Sequence, residues 1–160
     1  MFTIQPFDAP LGAEVIGLDL REPLSQSAFD EISGAFAQYS VLVLRDQKIN
    51  EDQHIAFSRR FGELEVLGFY QKYLHPDHQE IFVVSNVVDA SGTPIGLPDA
   101  GRIWHTDVSY KPEPSMGSLL LAREVPHDDS GKPLGDTIFT STAAAYDALS
   151  DELKHELSGR

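Results

Sequence analysis

The chain contains no cysteine among its 160 residues. Disulfide bonds, thiolate metal sites and cysteine nucleophiles are therefore excluded. The sequence also lacks any apolar run close to the roughly 20 residues that a membrane-spanning helix requires. Its first ten residues include neither Lys nor Arg and no continuous apolar stretch, so they do not resemble a signal peptide. These absences predict a cytoplasmic protein that does not bind membranes.

Basic residues are scarce. The chain has 12 Lys and Arg against 25 Asp and Glu, which gives a net charge of −13 with histidines neutral. Polyanions are bound by clustered cations, and no such cluster occurs here, so no nucleic-acid partner is predicted. The hydrophobic content of 41% is that of an ordinary globular protein. The length predicts a single domain over residues 1–160.

The pattern of apolar residues predicts both strands and helices. Strands are predicted at residues 13–20, 41–44, 81–84, 104–110, 117–125 and 137–140. Helices are predicted at residues 25–39, 50–61, 143–149 and 150–159. Strands and helices do not alternate regularly, so an α+β fold or an antiparallel barrel with flanking helices is favoured over a parallel α/β sheet.

Residues with capping properties mark the predicted helix ends. Ser27 and Asp30 have the spacing of a capping box, and so do Asn50 and Gln53. Ser150 is a candidate N-cap for the last helix, which Gly159 would terminate. Leu153 and Leu157 are expected to face inward on that helix.

The sharpest chemical feature is the sequence Trp104-His105-Thr106-Asp107, which follows a Gly- and Pro-rich loop at residues 89–101. On a strand, His105 and Asp107 would project from the same face. An imidazole and a carboxylate side by side are two thirds of the 2-His-1-carboxylate triad that holds Fe(II). The alternative is a structural histidine held by a nearby carboxylate.

Several short motifs occur in a characteristic order along nearly the whole chain. They are, in order, Gly12-Ala13-Glu14-Val15, Gly17-Leu18-Asp19-Leu20, Val43-Leu44-Arg45-Asp46-Gln47, Arg60-Phe61-Gly62-Glu63-Leu64, Trp104-His105-Thr106-Asp107, Gly135-Asp136-Thr137 and Ala144-Ala145-Tyr146-Asp147-Ala148-Leu149. With this ordered set, the chain resembles the N-terminal portion of the taurine dioxygenase family of Fe(II)- and 2-oxoglutarate-dependent dioxygenases.

The resemblance implies an α+β fold with a double-stranded β-helix, or jelly-roll, core and flanking helices, incomplete in this chain. It implies that Fe(II) is bound by His105 and Asp107, with 2-oxoglutarate and O2 as co-substrates. Thr137 matches the threonine whose hydroxyl binds a carboxylate of 2-oxoglutarate, a role that suits a hydroxyl donor. No catalytic residue is expected beyond the metal site.

The resemblance also marks substrate-binding positions. Tyr70 falls where the taurine enzymes place a substrate-contacting tyrosine, and Val108 would line the same cavity. Two positions depart from the taurine enzymes: Leu67 replaces a histidine and Gly101 replaces an asparagine. Because both changes remove polar groups that would hold a sulfonate, taurine itself is not expected as the substrate. The expected substrate is a small organic sulfonate, sulfate ester or carboxylate.

In family members the third iron ligand, a histidine, and the arginine that pairs with 2-oxoglutarate lie beyond the position of Arg160. We therefore expect the chain to be the first part of a larger dioxygenase domain. None of the other histidines is expected to complete the triad; these are His54, His75, His78, His127 and His155. The nearest cations, Arg102, Lys111 and Arg123, do not match the family's arginine.

Three functions remain open from the sequence. The first is a dioxygenase that hydroxylates a small molecule and releases succinate and CO2. The second is a non-catalytic fragment of such an enzyme that binds no iron. The third is a zinc-dependent hydrolase or isomerase that uses His105 and Asp107. The chain is also expected to form a homo-oligomer.

Overall fold

The computed structural model describes residues 1–158, which fall into two compact units. The first unit consists of Met1–Gln47 together with the segment that begins at Ala122, and the second is Lys48–Leu121. The predicted helix end at Gly159 lies outside the described residues. A single domain over residues 1–160 stays a prediction.

A three-stranded mixed sheet forms part of the first unit. Its strands are β1 (Thr3–Pro6), β2 (Ala13–Ile16) and β3 (Leu42–Val43), in the order β1-β2-β3. Strand β2 pairs antiparallel with β1 and parallel with β3. Ala13 and Val15 of β2 are 0% and 3% exposed, so the central strand carries the buried apolar face.

The strand predicted at residues 13–20 ends early, at Ile16. Gly17 has a φ of +85°, a conformation that glycine adopts without strain, and there the chain leaves the sheet. The side chain of Gln47 then binds the backbone that follows. It donates to the Leu18 carbonyl at 2.8 Å and accepts from the Leu20 amide at 2.9 Å. This glutamine amide takes the place of a neighbouring strand.

Helix α1 (Gln26–Tyr39) was predicted nearly to its ends, but its cap was assigned to the wrong serine. The N-cap is Ser25, whose hydroxyl accepts from the Ala28 amide at 3.2 Å. Ser27 already lies inside the first helical turn, so it cannot cap the helix. The buried face of α1 is formed by Phe29, Ile32 and Ala35. It packs in the first unit, beside β3.

Helix α2 (Glu51–Ser58) begins the second unit, and its predicted capping box is confirmed. Asn50 Oδ1 accepts from the Gln53 amide at 2.9 Å, and Gln53 Oε1 accepts from the Asn50 amide at 3.0 Å. The helix ends at Ser58, three residues before the predicted end at Phe61. A short 3₁₀ helix at Gly68–Tyr73 follows and was not predicted.

Four of the predicted strands do not form within the described residues. Residues 104–110, 117–125 and 137–140 contain no strand, and residues 81–84 make only isolated bridges, Leu74 with Phe82 and Val84 with Leu97. A strand is stabilised by hydrogen bonds to its neighbours, and apolar alternation alone does not supply them.

Two short helices follow in the first unit, α3 (Thr142–Asp147) and α4 (Asp151–Leu157). The predicted N-cap of α4 is confirmed, because the Ser150 hydroxyl accepts from the Leu153 amide at 3.3 Å. The predicted inward face is wrong: Leu153 is 46% exposed and Leu157 is 48% exposed. Within residues 1–158, no helix is both long and apolar enough to cross a bilayer.

Candidate metal and substrate site

His105 and Asp107 lie side by side in the second unit. Nε2 of His105 is 3.2 Å from Oδ1 of Asp107. The prediction that these side chains meet rested on a strand, and that local structure is wrong, because residues 104–106 are irregular and a turn begins at Asp107. The turn passes through Val108, which has a φ of +55°. The imidazole and the carboxylate therefore meet in an irregular segment that leads into a turn, and not on a paired strand.

The backbone fixes the protonation pattern of His105. Its Nδ1 lies 2.7 Å from the carbonyl oxygen of Ile103. Since a carbonyl oxygen only accepts, Nδ1 carries the proton, and in the neutral ring Nε2 keeps its lone pair. The hydrogen bond to Ile103 raises the pKa of His105 most strongly. Burial opposes it as the next-largest effect, and the charge of Asp107 and a hydrogen bond to it add smaller upward contributions.

The second oxygen of Asp107 is also engaged. The hydroxyl of Ser118 donates to Oδ2 at 2.7 Å, so that Oδ1 is the oxygen that faces His105. Sequence reasoning missed Ser118, which lies 11 residues further along the chain in an irregular segment. No periodicity or motif connects the two residues, so no local pattern could have revealed the contact.

The donor set fits a divalent cation. If the His105 ring were neutral, with its proton on Nδ1, its Nε2 and Oδ1 of the Asp107 carboxylate would be two acceptor atoms 3.2 Å apart. Such an arrangement is stable only with a positive charge between them, either a proton or a metal ion. Two ligand atoms at right angles, each roughly 2.1 Å from a first-row metal ion, lie about 3.0 Å apart. The observed separation is close to that value.

The two donors are accessible and incomplete as a metal site. The side chains of His105 and Asp107 are 48% and 56% exposed. Over residues 1–158, no group of three His, Cys, Asp or Glu side chains is arranged to hold a metal ion. The structure therefore places two donors of the predicted triad and no third donor within the described chain.

Gly101 and Val108 flank this pair of donors. Gly101 has a φ of +73°, and a Cβ built on it would lie 3.9 Å from Cε1 of His105. Larger side chains at position 101 would therefore contact the imidazole. Val108 is half-buried and its carbonyl accepts from the Lys111 amide at 3.1 Å. Both predicted substrate positions thus lie beside the predicted ligands.

Leu67 lies in a groove of about 220 Å³ within the second unit. The groove is lined by Leu67, Phe69, Tyr110 and Lys111, among others. Lys111 is ion-paired with Glu65, and the second oxygen of that carboxylate accepts from Ser115 at 2.8 Å. Glu65 and Lys111 are 46 residues apart, so no local sequence pattern indicates that they pair.

The remaining predicted site residues are placed elsewhere. Tyr70 packs its ring against Phe82, with centroids 5.5 Å apart, and does not line the groove of Leu67. Thr137 is exposed, in an irregular segment that belongs to the first unit. Its role toward 2-oxoglutarate stays a prediction. Of the cations considered, Arg102 is ion-paired with Asp99.

His54 supports the chain next to Ser118. Burial lowers the pKa of His54, while a hydrogen bond to the backbone of Leu119 acts in the opposite direction. His54 lies on α2, the helix with the confirmed capping box. The hydrogen bond ties the residue after Ser118 to a regular helix of the same unit.

Comparison with known proteins identifies one matching family and several similar proteins. The sequence matches the family described as "Taurine catabolism dioxygenase TauD, TfdA family" over residues 3–160. It is 39% identical to pentalenolactone F synthase of Streptomyces arenae, over 93% of this chain and 48% of the relative. It is 36% identical to the alpha-ketoglutarate-dependent 2,4-dichlorophenoxyacetate dioxygenase of Cupriavidus pinatubonensis, over 96% of this chain and 55% of the relative.

A solved structure is similar as well. It is the crystal structure of AAD-2 in complex with Mn(II) and N-oxalylglycine, which aligns with a TM-score of 0.61 and 28% identity over 98% of this chain and 49% of that one. The chain thus spans about half the length of the curated relatives it matches. The family match covers nearly every residue, and on that evidence the chain belongs to the taurine catabolism dioxygenase TauD, TfdA family.

Proposed function

We propose that the protein is an Fe(II)- and 2-oxoglutarate-dependent dioxygenase in which His105 and Asp107 are two of the three protein ligands to iron. The observation that supports this most directly is the distance of 3.2 Å between Nε2 of His105 and Oδ1 of Asp107. When bound with 2-oxoglutarate and O2, Fe(II) supplies the oxidative decarboxylation to succinate and CO2 and the hydroxylation of a C–H bond.

The contribution of the chain itself is to hold the donors ready. The carbonyl of Ile103 keeps the proton on Nδ1 of His105, which leaves Nε2 as the ligand atom. Asp107 presents Oδ1 on the same side. We further propose that Thr137 donates its hydroxyl to a carboxylate of 2-oxoglutarate and that the fold around the iron is a jelly-roll, in keeping with the similarity to AAD-2.

For the substrate, we propose a small organic molecule with an acidic group and an apolar body. The relative from Cupriavidus is named for 2,4-dichlorophenoxyacetate, which is an acetate that carries an aromatic ring. The groove beside Leu67 offers apolar contacts at Phe69 and Tyr110, with Lys111 at its edge. Gly101, Val108 and Tyr70 are the other proposed substrate positions. Homo-oligomerisation and a cytoplasmic location stay predictions.

The reaction is tested by measuring O2 consumption and succinate formation in the presence of Fe(II) and 2-oxoglutarate. The proposal expects one succinate for each O2 consumed, and loss of both in D107A. The matched control is D99A, which removes an exposed carboxylate of the neighbouring loop that is paired with Arg102. Equal activity of D107A and the wild type would contradict the proposal.

The non-catalytic alternative is favoured by one specific observation, the lack of a third donor among residues 1–158. It expects no succinate and no visible absorption change when Fe(II) and 2-oxoglutarate are added anaerobically. The substrate proposal is tested separately with a panel of phenoxyacetate, an alkyl sulfate and taurine. The carboxylate or the sulfate ester should raise succinate formation above the substrate-free rate more than taurine does.

A further inference from the structure

The described contacts of Asp107 and His105 share one feature: each side chain uses one polar atom for an outer hydrogen bond and presents the other toward its neighbour. For His105 the outer partner is the Ile103 carbonyl, at 2.7 Å from Nδ1. For Asp107 the outer partner is the Ser118 hydroxyl, at 2.7 Å from Oδ2. The atoms left over, Nε2 and Oδ1, are the two that lie 3.2 Å apart.

We infer that Ser118 is a positioning residue that selects the oxygen with which Asp107 binds metal. The inference rests on the proposed function, since it takes Asp107 as a ligand. An ionised carboxylate only accepts hydrogen bonds, so the hydroxyl of Ser118 must be the donor. While Oδ2 is held in this way, the carboxylate offers a single oxygen, Oδ1, in a fixed orientation.

The physical consequence is a cost for rotating the carboxylate. A hydroxyl-to-carboxylate bond of 2.7 Å is charge-assisted and therefore stronger than a neutral one. Without it, Asp107 could turn about its side-chain bonds and present either oxygen, or both, to the ion. Outer-shell partners of this kind typically change metal affinity by about 10- to 100-fold when they are removed.

The position of Ser118 is itself supported. The next residue, Leu119, is hydrogen-bonded through its backbone to the imidazole of His54 on α2. Ser118 therefore does not depend on its own exposed side chain alone to stay near Asp107. The backbone that carries the hydroxyl is tied to a capped helix of the same unit.

The test is the affinity for Mn(II), a redox-stable substitute for Fe(II), measured by calorimetry on the wild type, S118A, S118T and D107A. S118A is expected to bind Mn(II) about tenfold more weakly than the wild type, while S118T keeps the hydroxyl and stays within about threefold. The matched control is S115A. It removes a serine that donates to a different carboxylate, that of Glu65, at 2.8 Å, and should leave the affinity unchanged.

The outcomes separate this inference from the proposed function. If D107A loses affinity but S118A equals S115A, Ser118 is not a positioning residue and the inference is overturned. If D107A binds Mn(II) as tightly as the wild type, the proposed ligand itself is wrong. Thermal unfolding without metal shows whether a variant has a folding defect. S118A and S115A are expected to have the same Tm. If S118A alone is unfolded, the Mn(II) affinity of S118T is the deciding measurement. An affinity tenfold weaker than that of the wild type overturns the inference.

Discussion

Oδ1 of Asp107 lies 3.2 Å from Nε2 of His105, and both side chains are about half exposed. Hydrogen bonds to Ile103 and Ser118 occupy the other polar atom of each side chain. This pre-set orientation is what suits the pair to the role we propose for it, as two ligands of an iron site.

The N-cap of α1 is Ser25 in the structure, whereas the sequence predicted Ser27. Ser25 accepts from the Ala28 amide, whereas Ser27, the predicted cap, lies within the helix. S25A should lower the free energy of unfolding by about 1 kcal/mol. S27A should change it by no more than about 0.5 kcal/mol. Urea unfolding of both variants checks this. A larger loss of stability in S27A than in S25A would show that Ser27, and not Ser25, caps the helix.

Gly96 is predicted to tolerate no side chain. A Cβ at this buried position would lie 2.8 Å from the Val83 carbonyl oxygen and 2.9 Å from the Ser85 nitrogen. Backbone atoms cannot move aside as a flexible side chain can, so G96A should cost about 1–3 kcal/mol of stability.

Gly34 on α1 provides the matched control for Gly96. A Cβ there meets no atom within 4 Å. Because alanine favours a helix over glycine, G34A should raise the stability by up to about 1 kcal/mol. Urea unfolding measures both variants. Equal effects in the two would show that the close packing around residues 83–85 does not exist.

His54 gives the fold a specific pH dependence. Burial lowers its pKa in the folded chain below the unfolded value of about 6.5. As the pH falls below that value, the unfolded chain takes up a proton before the folded chain does. The free energy of unfolding should therefore decrease as the pH is lowered. This one group contributes at most about 1.4 kcal/mol per pH unit to that decrease.

The measurement is urea unfolding between pH 7.5 and 5 in EDTA, which removes any bound metal. H54Q keeps an amide that can donate a hydrogen bond to Leu119 but does not titrate, so the dependence between pH 6.5 and 5 should become shallower. An unchanged profile in H54Q would assign the dependence to other groups.

Local structure was the part of the fold that the sequence could predict. The capping box of Asn50 and Gln53 and the helices α1 and α4 depend on residues within a few positions of one another. The predicted strands at residues 104–110 and 117–125 depend on partners elsewhere, and apolar alternation does not contain that information. The structure accordingly has three short strands among its described residues where the sequence suggested six.

The site shows the same division. His105 and Asp107 are two residues apart, and their proximity was predicted, although from a strand that does not form. Ser118 contacts Asp107, which lies 11 residues away in the sequence. Lys111 contacts Glu65, which lies 46 residues away. Such contacts are produced by the path of the chain in space. Only the family resemblance pointed to Leu67 and Gly101, and their roles stay proposals.

The most direct test of the account is an NMR titration of the histidine ring signals with Mn(II), whose unpaired electrons broaden nearby nuclei. Six histidines are present, including the neighbouring rings of His75 and His78, 5.1 Å apart, as competing sites. The account predicts that His105 broadens at the lowest Mn(II) concentration and that D107A removes this preference. Broadening that begins at His75 and His78, and is the same in D107A, would contradict it.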